Sequence, residues 1–283
     1  MKISQSLIKA IEQPHCAKQI YFSFVEGKEL REASESMKIG RYFESELIGA
    51  ARDGIEPAKY KEPLKADIIR ELDKKGIEYN KKMLVPELKE LGIKNGLDLR
   101  GEKLKPYQDC DELIKMAKEQ FKKLGLDDFE SQVHVKTDLL NGTIDMVAHD
   151  IENPLQLANY DIKWTGLKID DRWQGWDNVE EKREAEIQAA HYTQITEELT
   201  GERRPFYYLV FGKDLWFRIF KVNLSNDAIM THRNRIANTA ATIREYALND
   251  YKGTGGFNMC LKCPFWDICE DRKETPEVEN VNY

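Results

Sequence analysis

Three side chains within residues 141–164, NGTIDMVAHDIENPLQLANYDIKW, form a set suited to phosphate chemistry. Asp145 lies inside the apolar run TIDMVA, and Asp161 and Lys163 stand two residues apart in YDIKW. Alternating apolar and polar residues make 143–149 and 157–164 strand candidates, with Asn153-Pro154 marking the turn between them. On a strand, residues i and i+2 face the same side, so Asp161 and Lys163 project together. If the two strands pair as neighbours, Asp145 reaches that side too. Two carboxylates and an ammonium on one sheet face suit a hard divalent cation and a phosphate. An edge hairpin with a charged outer face would contain the same residues, and Asp-x-Lys alone is common on solvated strands.

Two further groups could do chemistry. In EIQAAHYTQIT, Gln188 and Tyr192 are four apart and share one face of the predicted helix, with His191 offset from it. An amide and a phenol so placed can orient a phosphate or a water, although the same spacing is frequent on half-buried helices. In MCLKCPFWDIC, Cys260, Cys263 and Cys269 form C-x2-C-x5-C, three thiols close enough to make most of a metal shell. The fourth sulfur is Cys16 or Cys110, with His15 as a weaker candidate. Ligand type alone leaves zinc and an iron–sulfur cluster both open, as it does a reduced cysteine cluster in the core.

The elements that must hold these groups follow from the rest of the chain. At 283 residues and 41% hydrophobic content, it can bury a sizeable core. A net charge of −7 with 33% charged residues excludes a polycationic coat protein but not a nucleic-acid enzyme built around carboxylates. No apolar run reaches the roughly 20 residues of a membrane span, and the N-terminal stretch lacks a signal peptide's apolar core. A cytoplasmic location follows, in which five cysteines are free thiols or metal ligands rather than disulfides.

Along the chain, 4–13 reads as a short capped helix and 21–25 as an extended run. Residues 29–52 carry a helical pattern interrupted by Gly40, with Glu44 one turn later. Residues 53–132 are dense in lysine and glutamate and punctuated by prolines, a mostly helical insertion. Within it, LVPELKELGIKNGLDLRGEKLKP resembles small helix-extended-helix modules that touch nucleic acid, although an amphipathic surface helix and loop explains it more simply. Strands are predicted at 206–211 and 215–222 around Gly-Lys-Asp, and a polar helix at 228–251. No internal repeat is evident. The organisation expected is 1–52 with the first cysteine and motif helix, 53–132 insertion, 133–225 core sheet and motif helix, 226–272 helix and cysteines, and a disordered tail at 273–283.

Taken in order, these motifs resemble the PD-(D/E)xK nuclease superfamily and, within it, the RecB-like exonucleases. The resemblance rests on GRYFESELIGA with Glu44, TIDMVAHD with Asp145, YDIKW with Asp161 and Lys163, and QAAHY with Gln188 and Tyr192. One cysteine before the core and three after it is similar to the iron–sulfur staple of CRISPR-associated RecB-like nucleases. Glu44 stands where RecB-like members usually carry histidine, which is more like certain phage exonucleases. The resemblance implies an α/β fold, a restriction-endonuclease-like mixed sheet flanked by helices, and metal-dependent DNA hydrolysis, most often from ends with single strands preferred. It implies that Asp145, Asp161, the Ile162 carbonyl and Glu44 bind Mg2+ or Mn2+, that Lys163 orients or deprotonates the attacking water, and that Gln188 and Tyr192 position these groups. It implies a cluster, 4Fe-4S rather than zinc, on Cys16, Cys260, Cys263 and Cys269 that ties the N- and C-terminal segments together. DNA is the implied partner, with a recombination, annealing or CRISPR-adaptation protein able to load it, and homo-oligomers are compatible with the family. A non-catalytic nucleic-acid- or partner-binding module held by zinc or iron–sulfur is the competing expectation.

Overall fold

The computed structural model describes residues 1–28, 33–49, 56–169 and 183–276. Its core is a five-stranded mixed sheet in spatial order β1-β2-β3-β4-β5, comprising β1 (Phe129–Lys136), β2 (Asn141–His149), β3 (Leu157–Thr165), β4 (Phe206–Gly212) and β5 (Trp216–Lys221). The first three strands form an antiparallel meander, β3 and β4 run parallel, and β5 returns antiparallel. A parallel pair needs a long crossover, and helix α7 (Arg183–Thr200) lies in that connection. Every residue of β4, FYYLVFG, is buried. A continuous apolar run of this kind requires cover on both sheet faces, and both are covered.

On one face, Tyr160, Ile162, Leu209 and Phe211 pack against Phe43 and Leu47 of α3 (Glu35–Ile48) and Leu113 and Phe121 of α6 (Lys105–Leu124). On the other, Phe206, Tyr208 and Val210 meet Leu7 and Ile8 of α1 (Gln5–Glu12), Tyr192 and Ile195 of α7, and Ile236 of α8 (Asn226–Leu248). Local signals set the helix ends. The hydroxyls of Ser4, Ser34 and Ser225 accept from the amides of Leu7, Met37 and Ala228 at 3.1–3.2 Å, and Gly49 ends α3 at φ 77°.

Three expectations need correction. The run 21–25 is not extended: α2 (Ala17–Ile20) continues into a wide helical turn at Tyr21–Val25. The turn buries Phe22 against Phe265, ring centroids 5.1 Å apart, so aromatic packing outweighs strand propensity here. Strand β1 starts at Phe129, inside the stretch read as helical; its polar sequence leaves only Val135 buried and hides the alternation. The chain also has an internal repeat. Leu64, Leu84 and Leu104 precede α4 (Lys65–Lys74), α5 (Val85–Lys94) and α6 at a constant spacing. Gly76 and Gly96, at φ 65° and 73°, end the first two helices, and the amides of Ile77 and Leu97 bond the carbonyls of Leu72 and Gly92 at 3.0 Å in both copies. Ile68, Leu72 and Leu88 form a small core of their own. The copies differ where packing differs: a Cβ on Gly92 would stand 2.4 Å from the Leu99 side chain, so the second copy cannot keep the leucine of the first.

The tryptophan-containing stretch 170–178, with Trp173 and Trp176, and residues 277–283 lie outside the described residues. Among the described residues no helix is long and apolar enough to cross a membrane.

Candidate active site

Strands β2 and β3 bring Asp145, Asp161 and Lys163 together on the face covered by α7. The main-chain ladder between these strands ends at Met146–Tyr160, and the Asp145 carboxylate takes the next amide, accepting from Ile162 N–H at 2.9 Å. A side chain thus replaces a backbone partner where the strands part. Asp161 is 2% exposed; one oxygen accepts from the Gln188 amide and the other is ion-paired to the Lys163 ammonium. The Lys163 side chain remains 34% exposed, so its head is reachable from outside while its partner is enclosed.

Helix α7 lies directly over this face. Gln188 reaches Asp161 from above, and Tyr192, one turn later, is wedged between Gly142 and Phe206. A Cβ at Gly142 would come within 2.5 Å of the Tyr192 ring, so only glycine lets that helix sit so close to β2. His191 points away: its Nε2 lies 3.0 Å from the Asn141 carbonyl and its ring 5.6 Å from that of His232. Burial holds His191 below its ordinary range and His232 down at about 3, so both are neutral packing groups.

Glu44 comes from α3. Its carboxylate accepts from the Gln132 amide at 2.6 Å, and its charge is felt at Asp145. Gln132 was not anticipated. It lies on β1 across from Asp145, between the register pairs Ser131–Met146 and Val133–Ile144, with a left-handed φ of 49°. A non-glycine residue in that region is held there by its surroundings, and here the twist turns its amide to Glu44. No sequence motif marks it, because β1 itself was not recognised.

The electrostatics are tense. Asp145 keeps some exposed surface, yet protein surrounds its carboxyl group. That desolvation, and then the charge of Asp161, raises its pKa well above the usual carboxylate range, against the opposing pull of Lys163. Burial alone would push Lys163 down; attraction from Asp161 and Asp145 outweighs it, and the net shift is upward. One ammonium therefore serves two carboxylates, with Glu44 adding a third negative group nearby. The donors, carboxylates with main-chain oxygen at hand, fit a hard divalent cation in kind. Among the described residues, no three His, Cys, Asp or Glu groups converge closely enough to enclose a single ion, either here or at the cysteines.

Cys16, Cys260, Cys263 and Cys269 line one narrow cavity walled by Phe22, Phe265 and Trp266. Cys16 precedes α2, and Cys260 lies on α9 (Phe257–Leu261). The amides of Thr254 and Lys273 approach the sulfurs of Cys16 and Cys260 at 3.3 and 3.4 Å. Burial raises the thiols of Cys263 and Cys269. Cys110 is elsewhere, in the core beneath the sheet, its thiol pushed up to about 12 by burial and Asp111. His15 bonds Tyr246 and Gln13.

No family model and no curated protein matches this sequence. Among solved structures, a candidate exonuclease from Eubacterium rectale aligns over 99% of this chain and 91% of its own, with 15% identity and a TM-score of 0.55. The protein SSO0001 aligns over 74% of this chain and 96% of its own, with 12% identity and a TM-score of 0.31, too low to carry an argument. The chain shares its fold with that candidate exonuclease.

Proposed function

We propose that this chain is a metal-dependent deoxyribonuclease that hydrolyses phosphodiester bonds at DNA ends, of the RecB-like type. The observation that carries the reading is the pair Asp145 and Asp161 on neighbouring strands, the first half-buried and the second buried, with one ammonium, that of Lys163, acting on both. Such a pair is poorly balanced by itself and matched by a divalent cation. Asp145, Asp161, the Ile162 carbonyl and Glu44 would hold Mg2+ or Mn2+, which when bound supplies Lewis acidity to the phosphate and acidity to a water. Gln188 fixes the rotamer of Asp161 through one oxygen and leaves the other to Lys163. Lys163, charged throughout the physiological range and reachable from outside, orients the attacking water and offsets negative charge gathering on the phosphate. Gln132 holds Glu44 toward the carboxylates, and Tyr192 sets the height of α7 above them.

In the same proposal, Cys16, Cys260, Cys263 and Cys269 hold an iron–sulfur cluster that joins the two ends of the chain and does no chemistry on DNA. Four thiols that line one cavity can each bind a different iron of a multinuclear cluster. With a net charge of −7, DNA loading would be helped by a partner protein. The test is incubation of anaerobically purified protein with end-labelled single- and double-stranded DNA in Mg2+, Mn2+ or EDTA. Metal-dependent shortening from ends supports the reading. Binding without cleavage in every condition would move the assignment to a non-catalytic module.

A further inference from the structure

A second cavity, of about 420 Å3, opens beside the α7 layer and is lined by Thr193, Arg203, Arg204, Lys221, Asn223 and Ser225, with Pro205, Phe206, Val222 and Leu224 as its apolar part. Among the described residues three cations line it and no carboxylate does, in a chain with net charge −7. Lys221 and Arg203 have partners in Glu152 and, at 3.5 Å, Glu197, but both acids lie outside the lining. Arg204 is half-buried, its Nε is enclosed without a hydrogen-bond partner, and no described carboxylate pairs with it. Thr193 is 2% exposed, and its hydroxyl also lacks a partner.

The Arg204 Nε and the Thr193 hydroxyl belong to two of the lining residues, and enclosed groups of this kind are costly unless something bonds them. Both can donate, and arginine's fork suits phosphate oxygens. Ser225, also in the lining, caps the 23-residue helix α8, whose first turn carries Asp227 beside its amides. The cavity is within the range of small-molecule sites and larger than a bare phosphate needs. Its apolar side would take the remainder of the ligand.

We infer that this cavity is a binding site for a phosphate monoester carried on an organic group, of the size of a nucleoside monophosphate. The phosphate meets Arg204 and Thr193, with Arg203 and Lys221 at the mouth, and the organic part lies against Pro205, Val222 and Leu224. The site is separate from the carboxylate centre: Phe206 is two residues, roughly 7 Å, along β4 from Tyr208, which pairs with Asp161. It stands whether or not the chain cleaves DNA.

The test is calorimetric titration of dAMP into the full protein in EDTA, which removes divalent ions from the carboxylate centre. Inorganic phosphate serves as competitor, deoxyadenosine as the phosphate-free control, and Thr193→Val and Arg204→Gln as variants. Thr193→Val keeps the shape, so it remains decisive if Arg204→Gln melts early. The inference predicts saturable dAMP binding, competition by phosphate, at least about tenfold weaker binding of deoxyadenosine, and a loss of about tenfold or more in Arg204→Gln with a smaller loss in Thr193→Val. A 5′-phosphorylated oligonucleotide binding more tightly than its 5′-hydroxyl twin, through the same two residues, would mark a strand end as the source; dAMP alone binding would mark a free nucleotide. No dAMP binding, or equal affinity in wild type and both variants, overturns the inference.

Discussion

Replacing Asp145 by Asn should stabilise the metal-free protein near neutral pH. The amide oxygen can still accept from Ile162 N–H, so the hydrogen bond at 2.9 Å is kept while the charge goes. In the native state the carboxyl is raised by desolvation and by Asp161, whereas in the unfolded chain it titrates near 3.9. Native protein therefore binds more protons than unfolded chain between those two values, and stability falls as pH rises through that window. Below about pH 3.9 both states are protonated, and the substitution should change little. Above it, wild type loses about 1.4 kcal/mol for each pH unit while the native carboxyl keeps its proton. The variant should therefore melt progressively further above wild type as the pH rises from 4, the gap growing until the native carboxyl ionises. The assay is thermal denaturation in EDTA from pH 4 to pH 8, wild type against Asp145→Asn. Adding Mn2+ should then stabilise wild type by binding the native state and leave the variant unmoved. If Asp145→Asn melts below wild type at pH 7, or the difference does not vary with pH, the carboxyl is not held against its own ionisation and the reasoning fails.

Two other sets of substitutions probe the surroundings. Cys16→Ser should abolish the visible absorbance of anaerobically purified protein, while Cys110→Ser, outside the cysteine cavity, should retain it; the reverse pattern would assign the fourth ligand to Cys110. Gln132→Ala should release Glu44 and lower cleavage while Gln132→Glu, which sets two acids against each other, should lower it further; a rate unchanged in both would remove Gln132 from the site.

Much of this arrangement is legible in the sequence, and for a physical reason. Asp145, Asp161 and Lys163 sit in short apolar runs where only two-residue periodicity can place them on one face, and β2 and β3 pair as that pattern requires. Gln188 and Tyr192 likewise follow from a helical repeat laid across the sheet. What could not be read depends on contacts distant in sequence. Gln132 matters because β1 twists its amide toward a carboxylate on α3, and nothing in SQVHV announces that. The turn Tyr21–Val25 is helical because Phe22 finds Phe265 near the other end of the chain. The repeat of α4 and α5 was hidden because its shared features are a few leucines and two glycines, while the solvated positions between them diverged.

The most direct test of the nuclease reading is the cleavage rate of Lys163→Ala against wild type in Mn2+, with DNA binding measured in parallel under EDTA. In the proposed site Lys163 acts on the reacting water and phosphate. The substitution should therefore lower the rate by about a hundredfold or more, in the range of a lost acid–base group, while DNA affinity changes little. Wild-type cleavage by Lys163→Ala would contradict the assignment of Asp145, Asp161 and Lys163 as the catalytic centre.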